Sequence, residues 1–189
     1  MPYATYGFNK TIAADTIRFI VTVAIVVYKG LIPVVGRILT DKGDTPYNLR
    51  NCAYLDDFFK PKIVYPNMTK YLPFVYDDKK HLTNQKCFII TGENVAFLTV
   101  FFNSSLFKFC FRDSFPELQG GTRELSKIFF DKIPVIQVDS PTNELFEERL
   151  LDIQKEYTKS KAIVIDSMIF DLYNLSKEER QLIGFVEIE

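Results

Sequence analysis

KCFIITGENVAFLTVFFNSSLFKFCF, residues Lys86 to Phe111, decides the fold class of this chain. Two apolar patterns meet at Gly92. Before it, Cys87-Phe88-Ile89-Ile90 is a short apolar run with polar residues at both ends, which predicts a strand over Lys86 to Thr91. After it, Val95, Leu98, Phe102, Leu106 and Phe109 recur at spacings of three and four. That spacing predicts a helix from Glu93 to Phe111 with one apolar stripe. Glu93 near its start suits the positive end of the helix dipole.

Upstream, Pro61 to Tyr65 reads as a second strand, ended by Pro66-Asn67, and Asp77-Asp78-Lys79-Lys80 as a polar turn. Downstream, Arg112 to Arg123 holds Pro116 and a Gly pair and has no periodicity, so it reads as a loop. Leu125 to Asp131 predicts one or two helical turns, and Ile133 to Val138 a short strand. Ser140-Pro141 opens a helix to about Tyr157, with Ser140 as cap and Pro141 in the first helical position. A further helix runs from Lys161 to Tyr173, with Asn174 as a left-handed cap. Ser176-Lys177-Glu178-Glu179 is a capping box for the last helix. The expected fold is mixed α/β (α+β): a small mixed sheet with packed helices, then a C-terminal helical region over 140–189.

With 47% apolar and 25% charged residues, the 189-residue chain is globular rather than disordered. Most of its 18 Phe must be core, because a surface exposing so many would aggregate. The net charge of −1 argues against a free-standing nucleic-acid binder, but the charge is uneven. Residues 42–127 carry 12 Lys/Arg against 9 Asp/Glu, and residues 128–189 carry 7 against 13. A basic front and an acidic back suit DNA on one side and a protein neighbour on the other. Cys52, Cys87 and Cys110 have no paired spacing, which points to buried thiols in a reducing compartment. With one His, they make a poor metal site.

Residues 1–41 are unassigned. The run Phe19 to Tyr28 reads as a buried strand or a buried helix. Arg18 and Lys29 near the ends of the longer apolar stretch leave a membrane span open, although a cytosolic segment packed into a core is favoured. Asp41-Lys42-Gly43-Asp44 is a turn and the best boundary, which sets off residues 42–139 as one unit.

Several pieces then occur in a telling order. Lys42-Gly43-Asp44-Thr45-Pro46-Tyr47 and Asn51-Cys52-Ala53-Tyr54 precede Phe59-Lys60-Pro61-Lys62-Ile63-Val64-Tyr65. Phe102-Asn103-Ser104-Ser105-Leu106, Gly120-Gly121-Thr122-Arg123 and Lys132-Ile133-Pro134-Val135 follow. Asp166, Leu172-Tyr173-Asn174-Leu175 and Glu178-Glu179-Arg180 extend the set to the last helices. In this order they resemble the TaqI-like C-terminal specificity domain, the target-recognition domain of adenine-specific DNA methyltransferases and combined restriction–modification enzymes.

The resemblance implies a cytoplasmic module that binds double-stranded DNA and chooses its sequence, with a methyltransferase catalytic domain or subunit as partner. S-adenosylmethionine is then expected on that partner, and no cofactor on this chain. Cationic side chains neutralise phosphates, whereas Arg, Asn, Gln and Lys read base edges. Arg123 and Gln119 are the expected base contacts, on a loop whose Gly120, Gly121 and Thr122 allow close approach. Lys60, Lys62, Lys70, Lys86 and Lys127 are the expected phosphate contacts.

No chemistry of its own is legible in the chain. A glycine-rich cofactor motif after a strand is missing, and so is the Asn-Pro-Pro-aromatic motif that would face an extruded adenine. Asp56-Asp57 and Asp77-Asp78 lack the companions of a nuclease cluster, and His81, the sole histidine, reads as a solvated loop residue. The alternative from another class is a non-catalytic interaction protein whose N-terminal segment docks to a membrane or partner. Retention in washed membranes would favour it.

Overall fold

The computed structural model describes residues 55–84 and 86–186. The apolar run Phe19–Tyr28, the boundary at Asp41–Asp44, the entry segment up to Tyr54 and Cys52 lie outside the described residues.

A 3-10 turn (Leu55–Phe59) leads into β1 (Lys62–Pro66), followed by β2 (Met68–Thr69), β3 (Val75–Asp77) and β4 (Cys87–Ile90). The main sheet has the order β3-β1-β4, and both pairings are antiparallel. Ile63 sits opposite Tyr76 on one side and Ile90 on the other, while Lys62 faces Asp77. The two strands expected from sequence therefore pair. The third, β3, was hidden in the segment ending at the expected Asp77 turn, because three residues carry too little alternation to see. Alternate side chains of β1 point to one face. Ile63 and Tyr65 are both buried there in a core that includes Phe97, Phe101 and Phe102.

The expected single helix is two: α1 (Val95–Asn103) and α2 (Ser105–Phe111). The chain bends by 67° between Val95–Asn103 and Ser105–Ser114. Ser104 takes an extended conformation there, and its Oγ accepts from Phe107 N, capping α2. Its hydroxyl donates to Phe101 O at 2.6 Å. A serine able to cap is the local cause of the break. The expected single stripe is also absent. Every residue from Val95 to Phe102 is buried, so α1 runs through the middle of the protein rather than along its surface. Among the described residues no single helix is long and apolar enough to cross a membrane.

Aromatic rings knit sheet and helices together. Phe102 lies 5.1 Å from both Phe74 and Phe107 and 5.4 Å from Phe130, centroid to centroid. Most of these contacts are tilted or edge-to-face, the arrangements a ring quadrupole favours.

Four helices follow: α3 (Lys127–Phe130), α4 (Ser140–Lys155), α5 (Lys159–Leu172) and α6 (Lys177–Ile183). The cap of α4 is Asp139, one residue ahead of the expected Ser140, and its carboxylate accepts from Thr142 N. Asn174 has φ 52°, as a left-handed cap requires. The capping box of α6 is complete, with both Ser176 and Glu179 engaged. Phe146 and Leu150 of α4 and Ile165 and Ile169 of α5 join the core that holds α1.

Ile133 to Val138 is not a strand. Ile133, Val135, Ile136 and Val138 are buried without a ladder. A side chain serves one amide instead, since Ile136 N donates to the Tyr173 hydroxyl oxygen at 3.4 Å.

The outer edge of β3 is closed by two amide side chains. Asn103 of α1 exchanges two hydrogen bonds with the Phe74 backbone, at 3.3 and 2.7 Å. Gln154 of α4 does the same with Tyr76, at 2.9 and 3.1 Å. Each primary amide imitates a peptide unit, so the edge offers little to a foreign strand.

Candidate nucleic-acid interface

The segment expected as an irregular loop contains a small hairpin. Its arms are joined by Leu118 N to Thr122 O at 2.7 Å and Glu124 N to Pro116 O at 3.2 Å, with a bridge between Glu117 and Arg123. The outgoing arm is β5 (Arg123–Glu124), which pairs with β2 on its other side. At the tip, Gln119–Gly121 forms a tight turn that leaves the helical φ/ψ region at Gly120. Gly120 and Gly121 both have positive φ, 79° and 75°, where a Cβ is strained. Thr122 Oγ1 donates to Gln119 O at 3.1 Å and tightens the turn.

The tip presents an exposed Gln119 and Gly120, and half-exposed Gly121 and Thr122. Arg123 is not presented. Its residue is only 8% exposed, and its guanidinium turns inward across the hairpin. Nη1 donates to Phe115 O at 2.8 Å, and Nη2 donates to Asp113 at 2.9 Å and Glu117 at 3.1 Å. The free base-reading guanidinium expected from sequence is therefore a clamp. The reason is local: the Phe115 carbonyl and two carboxylates on the incoming segment fall within its reach, and hydrogen bonds to charged partners hold the guanidinium inward.

Lys62 departs from expectation in the same way. It is fully buried, donating to Phe58 O at 2.8 Å and to Asp77 at 2.5 Å. Phosphate contact by Lys62 is thus ruled out in this structure. Asp77 also accepts from Lys79 N, His81 N and His81 Nδ1, at 2.9, 3.0 and 2.8 Å. Burial alone would raise the Asp77 carboxyl, but Lys62, His81 and the backbone amide outweigh it and hold it at about 2. His81 keeps its ring exposed while bonding to this carboxylate, so it is less idle than a solvated loop residue.

The remaining cations fall into two groups. Lys60 is exposed but paired with Asp57 at 2.7 Å, and it lies with Lys62 at the start of β1. Lys127 pairs with Asp131 at 2.7 Å. Lys70 and Lys86 are exposed with no ionic partner among the described residues. Both sit beside the hairpin. Lys86 O accepts from Asn67 N, and Asn67 O accepts from Leu125 N, which joins β4, β2 and β5. Lys70 follows β2 directly, with its Nζ 5.6 Å from the centroid of the Tyr71 ring. The structure thus gathers Lys70, Lys86, Gln119, Gly120, Gly121 and Thr122 around one ribbon, and leaves Lys60 and Lys62 at the far end of β1.

Sequence reasoning missed Met68 and Tyr71, 61% and 47% exposed on the same ribbon. Neither belongs to a periodic pattern, and only the pairing of β2 with β5 puts them there. It also missed Asp113 and Glu117, whose part is visible only once the hairpin is closed.

The family model of the TaqI-like C-terminal specificity domain matches residues 40–135. The matched region holds the main sheet, α1, α2 and the hairpin. It ends at Val135, ahead of the C-terminal helices to which the sequence resemblance extended. No curated protein matches the chain significantly. With about half of its length in the match, and the described part of that region folded as an α+β unit with an exposed hairpin tip, the chain belongs to the family of TaqI-like C-terminal specificity domains, DNA-recognition modules of methyltransferase-type systems.

Proposed function

We propose that this chain selects the DNA sequence for an adenine-N6 methyltransferase whose catalytic unit, with its S-adenosylmethionine, lies in another domain or subunit. A nuclease served by the same unit fits this reading, as does a cytoplasmic location. The observation that carries it is the hairpin tip: beyond the pairing of β5 with β2 it narrows to two strands around an exposed amide, with Lys70 and Lys86, which have no ionic partner among the described residues, beside it. A two-stranded ribbon fits the major groove of B-DNA, about 12 Å wide. Phosphate contacts at its flanks would hold it in register. Among the described residues no three His, Cys, Asp or Glu side chains are grouped to hold a metal ion.

A protein neighbour has a surface to use. Tyr157, Ile163 and Val164 are 65%, 46% and 50% exposed around the turn from α4 to α5. They sit in the acidic stretch of the chain, residues 128–189.

Fluorescence anisotropy with a labelled duplex tests the reading. Binding at about 50 mM salt that weakens steeply by about 200 mM is expected, because phosphate neutralisation releases counterions. Absence of binding at the lower salt, both alone and with a methyltransferase subunit, would sink it.

A further inference from the structure

We propose that the hairpin tip reads an adenine–thymine pair through Gln119. This rests on the DNA-recognition reading and narrows it to one base pair.

Gln119 has an exposed side chain with no hydrogen bond among the described residues; only its backbone oxygen is engaged, by Thr122. A free primary amide offers a donor and an acceptor side by side. Adenine presents the matching pair in the major groove, an N6 donor beside the N7 acceptor. Guanine presents two acceptors there, O6 and N7, and calls for two donors from one side chain. Arg123 is the guanidinium nearest in sequence, and it is engaged by Phe115 O, Asp113 and Glu117. The turn itself therefore offers guanine no free guanidinium, and its one uncommitted side-chain reader is the Gln119 amide.

The rest of the turn agrees with that assignment. A Cβ built on Gly120 or Gly121 would meet nothing within 4 Å, so neither glycine makes room for packing inside the protein. Their positive φ keeps other residues away, and their lack of side chains leaves the turn thin enough to approach base edges. Thr122 directs its hydroxyl at Gln119 O, which frees its methyl group for contact with a thymine methyl.

Selection from a randomised duplex library with the full 189-residue chain tests this. Unchanged protein should enrich a motif with an A·T pair at one position. Gln119→Ala should flatten that position by roughly 5- to 150-fold and leave the others as they were. Gln119→Arg should move the same position towards G·C. Gln119 has no side-chain partner in the described fold, so both variants should keep the unfolding midpoint of the parent. If the motif is the same with Gln119→Ala, or if the flattened position is a G·C pair, the assignment to Gln119 is overturned while the module reading stands. If the unchanged protein, both alone and with a methyltransferase subunit, enriches no motif at all, the recognition reading falls and the assignment with it.

Discussion

Lys62 and Arg123 show how a basic residue in a DNA-recognition domain can belong to the fold rather than to the ligand. Both are almost out of solvent, and each has an acidic partner. Removing one member of a buried ion pair strands the other. Lys62→Met should therefore cost about 3–5 kcal/mol in urea unfolding. It should also move the Asp77 carboxyl upward, which a carbon-detected NMR titration would read. The sign of the pH effect follows from the depressed carboxyl. Its contribution is full above the ordinary carboxylate value near 4 and is lost as pH falls from about 4 to about 2. With the carboxyl held at about 2, that contribution is on the order of 2–3 kcal/mol. Lys62→Met should flatten that stretch of the stability–pH curve. For Arg123→Ala the cost should be about 1–3 kcal/mol, because the Phe115 carbonyl loses its donor. The side chains of Asp113 and Glu117 are 84% and 60% exposed and can return to water, which limits the loss.

Among the elements, the sequence made most of the regular structure legible. The strand pair β1–β4, the C-terminal helices, the Asn174 cap and the Ser176 box all follow from residue patterns that act over a few positions. What stayed hidden depends on contacts far along the chain. β3 exists because β1 accepts it on one side and the amides of Asn103 and Gln154 close its other side. Ile133–Val138 has a strand's composition but no strand beside it. The continuous helix over 93–111 failed for a local reason, the capping power of Ser104, although its apolar spacing runs unbroken across the bend. Two predictions belong here. Ser104→Ala should cost about 1 kcal/mol through loss of the α2 cap, as read by denaturant unfolding. Gln154→Ala should speed hydrogen exchange at the Tyr76 amide, with the β1–β4 amides unaffected, because it uncovers one unit of a single strand edge. Uniform acceleration across the sheet would show that the amide supports the whole fold instead.

For the molecule as a whole, charge and position separate affinity from choice. Of the candidate site residues, those around the hairpin were legible by type but not by role: nothing in the sequence tells a free lysine from a buried one. The structure leaves Lys70 and Lys86 beside the ribbon with no ionic partner among the described residues and assigns Arg123 to its interior. The double variant Lys70→Ala/Lys86→Ala should weaken binding to all duplexes alike. It should reduce the slope of log affinity against log salt by about 2, one for each phosphate that is no longer neutralised. A changed base preference would instead place those lysines at base edges.

The inward clamp also sets a rule for rewiring. Because Arg123 reaches back to Phe115, Asp113 and Glu117, the turn it braces is one mechanical cassette rather than a string of interchangeable letters. A specificity swap that transplants the four tip residues alone would set them on arms whose strut was fitted to another turn. Moving the whole span from Asp113 to Glu124 carries the strut along with what it braces.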